Sequence, residues 1–587
     1  MKESLEKYGA FFKKMFASSS LFKKGRNVVF DRAYGKIKER RSLFRERDGN
    51  RVDNEDVSPP DMPDDRLLKF WASSEWAEYQ AWIFHNDFIT CDDWKEMRKR
   101  AVSFKAKPLI SVITPTYNTD TEMLLECIRS VQSQAYPFWE MCIADDGSTS
   151  SETLELLRET AAFDPRIKVS FLPENHGICH ATNNAIGMAS GEYLAFLDHD
   201  DRISPAAFYY VADALNHNYS LDVIYSDRDM LSTRGLRFMH LFKPGWSPEL
   251  LFSMNYICHL MVYKKSLVDM VGGVHEEFEG SQDYDLVLRV MEKTKNVHHI
   301  SRVLYHWRQS EQSVALNHNV KDYAYKAGVK ALEHALKRRN LNGTVQEIST
   351  LWRGHYRVQL DGPSSDDISV HYIENDFPLD QYVTRVNKEF SASSKKRPFL
   401  LFVGQGLTAS DAMAAYKEMA SWLQVEGVGI VTGKIVDAKK RIVHAGMVQK
   451  SDGVPLFTYE GADASVPGYI AATAVVRNVS APHPWCFAVR RDVWDSLGGF
   501  ARGYIGPHAV IDFSLRAEKQ GYRTVFTPFA DFLDPCESIV PASSWPQEDV
   551  VHFLRKWQAR LTNGDLYYNK NLTLKLEDMG LDYSVSK

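Results

Sequence analysis

Three carboxylates crowd into four residues at Asp198-His199-Asp200-Asp201, directly after the apolar run EYLAFL (192–197). Like charges at that spacing repel unless a cation offsets them. Hard divalent ions such as Mg2+ and Mn2+ take carboxylate oxygens and complete their shell with water and substrate phosphates. A metal held there would neutralise charge growing on a diphosphate leaving group. The competing reading is a solvated acidic loop capping a helix that starts at Pro205. A second carboxylate cluster lies in Glu279-Gly280-Ser281-Gln282-Asp283-Tyr284-Asp285. Ser281 can cap a helix in which Asp285 and Arg289 are i, i+4 partners. Asp283 then falls in the first turn, where the helix dipole favours its ionised form. Such a carboxylate suits a general base that deprotonates an attacking sugar hydroxyl, although a capping role is commoner.

Two further segments follow apolar runs: Pro115-Thr116-Tyr117-Asn118 and Asp145-Asp146-Gly147-Ser148-Thr149. A carboxylate in such a loop can accept hydrogen bonds from a base or ribose, and a neighbouring aromatic ring can cover a base face. Each loop taken alone also reads as a turn and helix cap. In Tyr305-His306-Trp307-Arg308, His306 and Arg308 can reach phosphate oxygens and Trp307 can stack on a sugar.

The elements that must position these residues are legible from periodicity. LISVIT (109–114), WEMCIA (139–144), IKVSFL (167–172) and EYLAFL (192–197) are strand-length apolar runs alternating with helix-length amphipathic stretches. That alternation predicts an α/β fold with a largely parallel sheet and helices on its faces. Ligands in open sheets of this kind bind beyond the carboxyl ends of strands, where the segments above fall.

The length of 587 residues predicts three or four domains. With 71 Lys and Arg against 76 Asp and Glu, 44% hydrophobic and 25% charged residues, the composition excludes global disorder, collagen and a basic nucleic-acid coat. Residues 1–47 nevertheless carry about +9, leaving about −14 for the remainder. Tyr8, Phe11, Phe12, Met15 and Phe16 fall on one helical face of that segment, which suits either the surface of an anionic membrane or docking on the protein itself. Residues 48–65 read as an acidic, proline-bearing linker and 66–107 as a helical lead-in. Seven cysteines without a C-x-x-C pair predict a reducing compartment. No apolar run reaches membrane-spanning length, so a cytoplasmic protein is expected, peripheral at most on the inner face of a membrane.

In this order and spacing, PTYN, ADDGS, LDHDD, FKPGWSPELL (242–251) and EGSQDYDLVLR resemble glycosyltransferase family 2, enzymes of the GT-A fold. The likeness covers about residues 108–315 and is strongest to bacterial members that build O-antigen and other surface polysaccharides. It implies inverting transfer from a nucleotide-diphosphate sugar to a glycan or lipid-linked acceptor. By motif position it assigns Pro115, Tyr117, Asp145 and Asp146 to the nucleoside and Asp198 and Asp200 to the metal and diphosphate. Arg308 would contact the donor, His306 and Trp307 the acceptor or phosphate, and Asp283 would be the base. Many relatives have Glu-Asp where this chain has Gln282-Asp283, a neutral departure because the base corresponds to the Asp.

The C-terminal half reads as a second copy. VYKKSLVDMVGGV (262–274) aligns with AVRRDVWDSLGGF (488–500), DLVLR (285–289) with DFSLR (512–516), and YLAFLDHDD (193–201) with FLLFVGQGL (399–407). This register puts Gly404 and Gly406 opposite Asp198 and Asp200, and Val510 opposite Asp283, so the copy has no means of holding a metal or taking a proton. Residues 341–398 show no clear PTYN or DDGS loop, and the copy reads as truncated on its nucleotide side. The boundaries expected are a GT-A domain at 108–340 and a degenerate GT-A-like domain at 341–587. Tyr459, Tyr469, Trp485, Trp494, Trp557, Tyr567 and Tyr568 either line an acceptor groove or homo-oligomer face, or pack the core. Asp512, Asp531 and Asp534 are the acids available for a different site there. Two other readings are a non-catalytic nucleotide-sugar-binding scaffold and a sugar nucleotidyltransferase; no nucleic-acid partner is expected.

Overall fold

The computed structural model describes residues 74–232, 235–309, 322–374, 378–391, 397–537, 539–574 and 580–583. The basic segment, the linker and their membrane reading lie outside these residues. The chain divides into two units, Met1–His85 and Asn86–Lys587. In the described part of the first, helix Ser74–Trp82 stacks Tyr79 on Trp82 with ring centroids 5.8 Å apart.

The second unit opens with nine strands: β1 (Ile110–Thr116), β2 (Trp139–Asp145), β3 (Ile167–Phe171), β4 (Tyr193–Phe196), β5 (Arg202–Ile203), β6 (Val223–Leu231), β7 (Arg237–Leu241), β8 (Met261–Lys264) and β9 (Val297–Arg308). Their order is β3-β2-β1-β4-β8-β6-β9-β5, with β7 on β6. β1 runs parallel to β2 and β4, with Ile110 opposite both Trp139 and Tyr193, whereas β8 lies antiparallel between β4 and β6. The α/β class expected from the alternating runs is the one observed. Successive side chains of a strand face opposite ways. Ile110, Val112, Met141, Ile143, Tyr193 and Ala195 therefore join one core, and Ile113, Cys142, Ala144 and Leu194 join the other. β1 and β2 are buried along their whole length, which is why these runs read as continuously apolar. Their carboxyl ends open on one edge of the sheet. There Asp120 caps helix Thr121–Gln132 through Glu122 N and Met123 N, and Ser150 caps helix Ser151–Phe163 through Thr153 N.

A second sheet repeats the first. Phe399–Gly404 pairs antiparallel with Cys486–Arg490, Phe399 facing Arg490, just as Tyr193 faces Lys264. Ile368–Ile373 runs parallel to it from Ile368 opposite Phe399, the place β1 holds beside β4. The sheet ends at that strand, and among the described residues nothing corresponds to β2 or β3. The truncation thus removes the nucleotide side, and the pairing reproduces the register read from the sequence.

One structural anchor is copied intact. Arg289 donates through Nε to Asp285 and through its two other nitrogens to the carbonyls of Val271 and Gly273. Arg516 does the same to Asp512, Leu497 and Gly499. The apolar core containing Ile113 and Leu194 continues into the second half as far as Phe402, Trp485 and Trp557.

The aromatic residues considered for an acceptor groove or oligomer face are mostly interior. Tyr459, Trp485, Trp494, Trp557 and Tyr568 are buried, and Trp494 alone touches the rings of Phe390, Phe402, Phe500 and Phe513. Asp512 is likewise committed, accepting from Arg516, Lys556 and Trp557. Burial works against its charged form, but those donors outweigh it and hold its carboxyl below the usual range. Asp512→Ala strands Arg516 and Lys556 without their partner. It should cost about 3–5 kcal/mol, read as a lower urea midpoint for the second unit.

Candidate active site

The loops after β1 and β2 are locked to each other. Asn118 sits at φ 45°, its backbone N–H donates to Ser148 Oγ, and its side-chain oxygen accepts from Thr149 N and Ser150 N. Asp145 is buried and accepts from both the hydroxyl and the N–H of Ser148. Asp146, also buried, accepts from His176 N at 3.1 Å and Gly177 N at 2.8 Å. Gly147 is required twice over: its φ is 72°, and a Cβ there would lie 2.6 Å from the backbone of Glu174. Both carboxylates therefore shape the rim before any ligand arrives, while lone pairs remain available to a base or ribose. Pro115 is buried in β1 opposite Ala144, and Tyr117 stands 45% exposed above the rim.

The acidic turn after β4 splits into two roles. Asp201 is wholly buried, accepting from Arg308 N at 2.6 Å and from the Tyr305 hydroxyl. Burial, reinforced by the charges of Asp200 and Asp198, drives its carboxyl well above the usual range. Asp198 and Asp200 face outward, and the Asp198 side chain is 44% exposed. Spacing alone does not separate the three; the fold buries Asp201 as an anchor and leaves Asp198 and Asp200 partly exposed.

Asp283 lies at the start of helix Gln282–Met291. Its Oδ2 accepts from Asn255 Nδ2 at 2.9 Å and Cys258 Sγ at 3.2 Å, and its Oδ1 from Tyr284 N at 2.8 Å. Burial pushes its carboxyl above the ordinary value, and these hydrogen bonds only partly oppose the shift. Ser281 occupies the cap position, but its hydroxyl donates to Ala324 O and so ties the helix start to the next helix. The expected Asp285–Arg289 pair is present.

Between Asp283 and the acidic turn runs Cys258-His259. Cys258 Sγ is 2.8 Å from His259 Nε2, which in turn is 3.9 Å from Asp198 Oδ2. The His259 ring stacks on Tyr305 with centroids 4.7 Å apart. Burial, with Arg228 and Lys243 close by, holds its pKa well below the usual imidazole range, so it is neutral at physiological pH. Asn255, Cys258 and His259 carry no motif signal that sequence reading can use, because their role comes from contacts with distant strands.

The YHWR residues divide as well. Trp307 faces His259 edge-on at 6.3 Å and carries the Arg228 guanidinium over its ring at 4.6 Å. His306 is buried against Asp229, 2.6 Å away. Arg308 is also buried, donating to the Asp200 carbonyl and the Glu126 carboxylate. Both side chains, expected to contact phosphate, are held here on protein partners. His306 braces β9 against β6, and Arg308 holds the backbone of the acidic turn.

The donor set of the turn fits a hard cation. Among the described residues no group of three or more His, Cys, Asp or Glu side chains could hold a metal on its own. Two outward carboxylates supply a partial shell, and oxygen-liganded Mg2+ or Mn2+ is commonly completed by water and substrate phosphate.

The profile of the family described as Glycosyl transferase family 2 matches residues 111–272, the stretch that contains β1 to β8 and the acidic turn. The chain is 32% identical over 540 residues to the uncharacterized protein y4gI of Sinorhizobium fredii, covering 81% of this chain and 58% of that one. It is 29% identical to the O-antigen biosynthesis protein RfbC of Myxococcus xanthus, covering 86% of this chain and 43% of that one. The chain thus spans less than two thirds of the length of either. A protein of Escherichia coli named as a colanic acid biosynthesis glycosyl transferase, WcaA, is 31% identical over 196 residues, which are 32% of this chain and 67% of that one. A rim built by the PTYN and DDGS loops, an acidic turn closing β4 and a family profile lying over both lead to one conclusion: the chain belongs to glycosyltransferase family 2.

Proposed function

We propose that the protein is a metal-dependent, inverting glycosyltransferase that moves a sugar from a nucleotide-diphosphate donor to a growing bacterial surface glycan carried on a lipid. One observation carries the reading: the carboxylates of Asp198 and Asp283 flank the same short segment, Cys258-His259, with Asp200 in the same acidic turn as Asp198. Asp283 takes the proton of the acceptor hydroxyl as that oxygen attacks the anomeric carbon. The bond to the diphosphate breaks on the opposite face, so configuration inverts and nucleoside diphosphate leaves. Asp198 and Asp200 would hold Mg2+ or Mn2+, which offsets charge on the departing diphosphate. The Tyr117 ring covers the base, with Asp145 and Asp146 beside it. The glycan class is supported by the roles that the names of RfbC and WcaA give those relatives.

Asp283→Asn should lower kcat by about 10^2–10^4-fold with donor binding unchanged. The base must be ionised, so turnover should fall as the medium is acidified, with a midpoint above the 3.8 of an unperturbed Asp because burial raises this carboxyl. Stopped assays across pH check both.

With the correct donor and acceptor, product analysis should find nucleoside diphosphate, whereas a nucleotidyltransferase releases pyrophosphate. Chelation should stop turnover and Mn2+ or Mg2+ restore it. Asp198→Asn should weaken the response to metal by at least about tenfold.

Attachment to the cytoplasmic face of a membrane through residues 1–47 belongs to the same proposal. Among the described residues no helix is long and apolar enough to cross a membrane. Full chain should pellet with anionic liposomes and a chain lacking residues 1–47 should not; equal pelleting counts against the attachment.

A further inference from the structure

The degenerate copy ends in a tail that returns to the first sheet. Gly245 N donates to Leu566 O at 3.0 Å, and a Cβ at residue 245 would lie only 2.3 Å from that oxygen, so the tail is seated tightly on the segment after β7. Three residues on, Asn569 is buried with Asp227 of β6, whose side chain has no solvent exposure. Asn569 Nδ2 donates to both Asp227 oxygens at 3.0 and 2.9 Å and to Lys243 O at 2.8 Å. Asn571 Nδ2 adds longer bonds to Asp227 at 3.3 Å and to Ser301 O at 3.2 Å. Asp227 also accepts from Lys243 N at 2.8 Å and His299 Nε2 at 2.7 Å.

Lys243 carries this brace to the site. Its Nζ is wholly buried and donates to the carbonyls of Ile257 and His259, the residues on either side of Cys258. Cys258 and nearby Asn255 hold Asp283 Oδ2. A path of buried and part-buried hydrogen bonds, joined through the Lys243 side chain and the backbone of 257–259, therefore leads from the C-terminal tail to the carboxylate assigned as the base.

We infer that Asn569 is a positioning residue for Asp283, and that the second repeat serves the reaction by delivering this tail to the acceptor side of the site. The inference rests on the reading of Asp283 as the base. Asn569 touches neither donor nor acceptor and acts through Asp227, Lys243 and the 255–259 segment. The nucleotide rim lies across the sheet and is braced separately through Asn118 and Ser148, so losing Asn569 should loosen one side of the site and spare the other.

The test is Asn569→Ala in the full chain, with kcat, nucleoside diphosphate affinity and peptide-resolved amide hydrogen exchange measured together. Sub-ångström placement of reacting groups governs rate, and a 1 Å error can cost about 10^2-fold. The expected result is a fall in kcat of about tenfold or more, nucleotide affinity unchanged, and faster exchange across 255–260 with 141–149 as in the parent. If Asn569→Ala does not yield folded protein, Asn571→Ala, which removes the longer bonds, carries the same test in the same direction. Unchanged kcat, or exchange rising equally at 255–260 and 141–149, overturns the inference, the second pattern reporting general loosening. Full turnover in Asp283→Asn sinks the base reading and this inference together. Full turnover in Asn569→Ala beside an inactive Asp283→Asn sinks the inference alone.

Discussion

A buried carboxylate, Asp201, holds the active edge together. It follows two other acids in the chain, carries a heavy desolvation cost, and is kept in place by the Tyr305 hydroxyl and the Arg308 backbone N–H. Because it points inward, the chain turns sharply after β4 and throws Asp198 and Asp200 outward. Arg308 secures the same turn from the other direction through the Asp200 carbonyl. The geometry of the acidic turn thus depends on strand β9, more than 100 residues away in sequence.

The two repeats show which features belong to the fold and which to the chemistry. Both keep the Arg-to-Asp pair and the two carbonyl contacts that clamp a helix to the preceding turn. Only the first has carboxylates after its central strand and an acid at the helix start. In the second, glycine and valine take those places, and among the described residues no strands correspond to β2 and β3. What remains is a second sheet whose core is continuous with the first and whose aromatics are spent on packing. Besides the tail, it contacts the segment after β7 at several points: Phe242 N donates to the Tyr469 hydroxyl, Ser247 Oγ to Asn478, and Arg523 pairs with Glu249 at 2.7 Å. Such contacts restrain the stretch leading to Asn255 and Cys258 from a side that the first repeat alone does not cover.

Much of this was readable in one dimension, because strands buried on both faces show as apolar runs and short polar loops after them show as motifs. PTYN, DDGS and LDHDD are each contiguous and directly follow a strand run, so their residue types and order are legible even though distant contacts fix their shapes. The repeat was readable for the same reason, since the Arg-Asp spacing of four is a helical turn and the Gly-Gly pair precedes it in both copies. The partners of Arg308 and His306 were not legible because a cation beside a strand end looks the same in sequence whether it points to solvent or to an acid of its own chain. The partners that decide, Glu126 and Asp229, lie 182 and 77 residues away.

The sequence by itself determined the α/β class, the order of the loops at the strand ends, the acids available there and the loss of those acids in the second copy. Each of these follows from side-chain periodicity and residue type. Only the tertiary structure decided that Asp201 is an anchor, that Asn255 and Cys258 hold Asp283, and that Asn569 reaches Asp227. The reason is physical: a hydrogen bond between groups 25 to 342 residues apart exists only once the elements have packed, and its directionality leaves no period in the chain that could announce it.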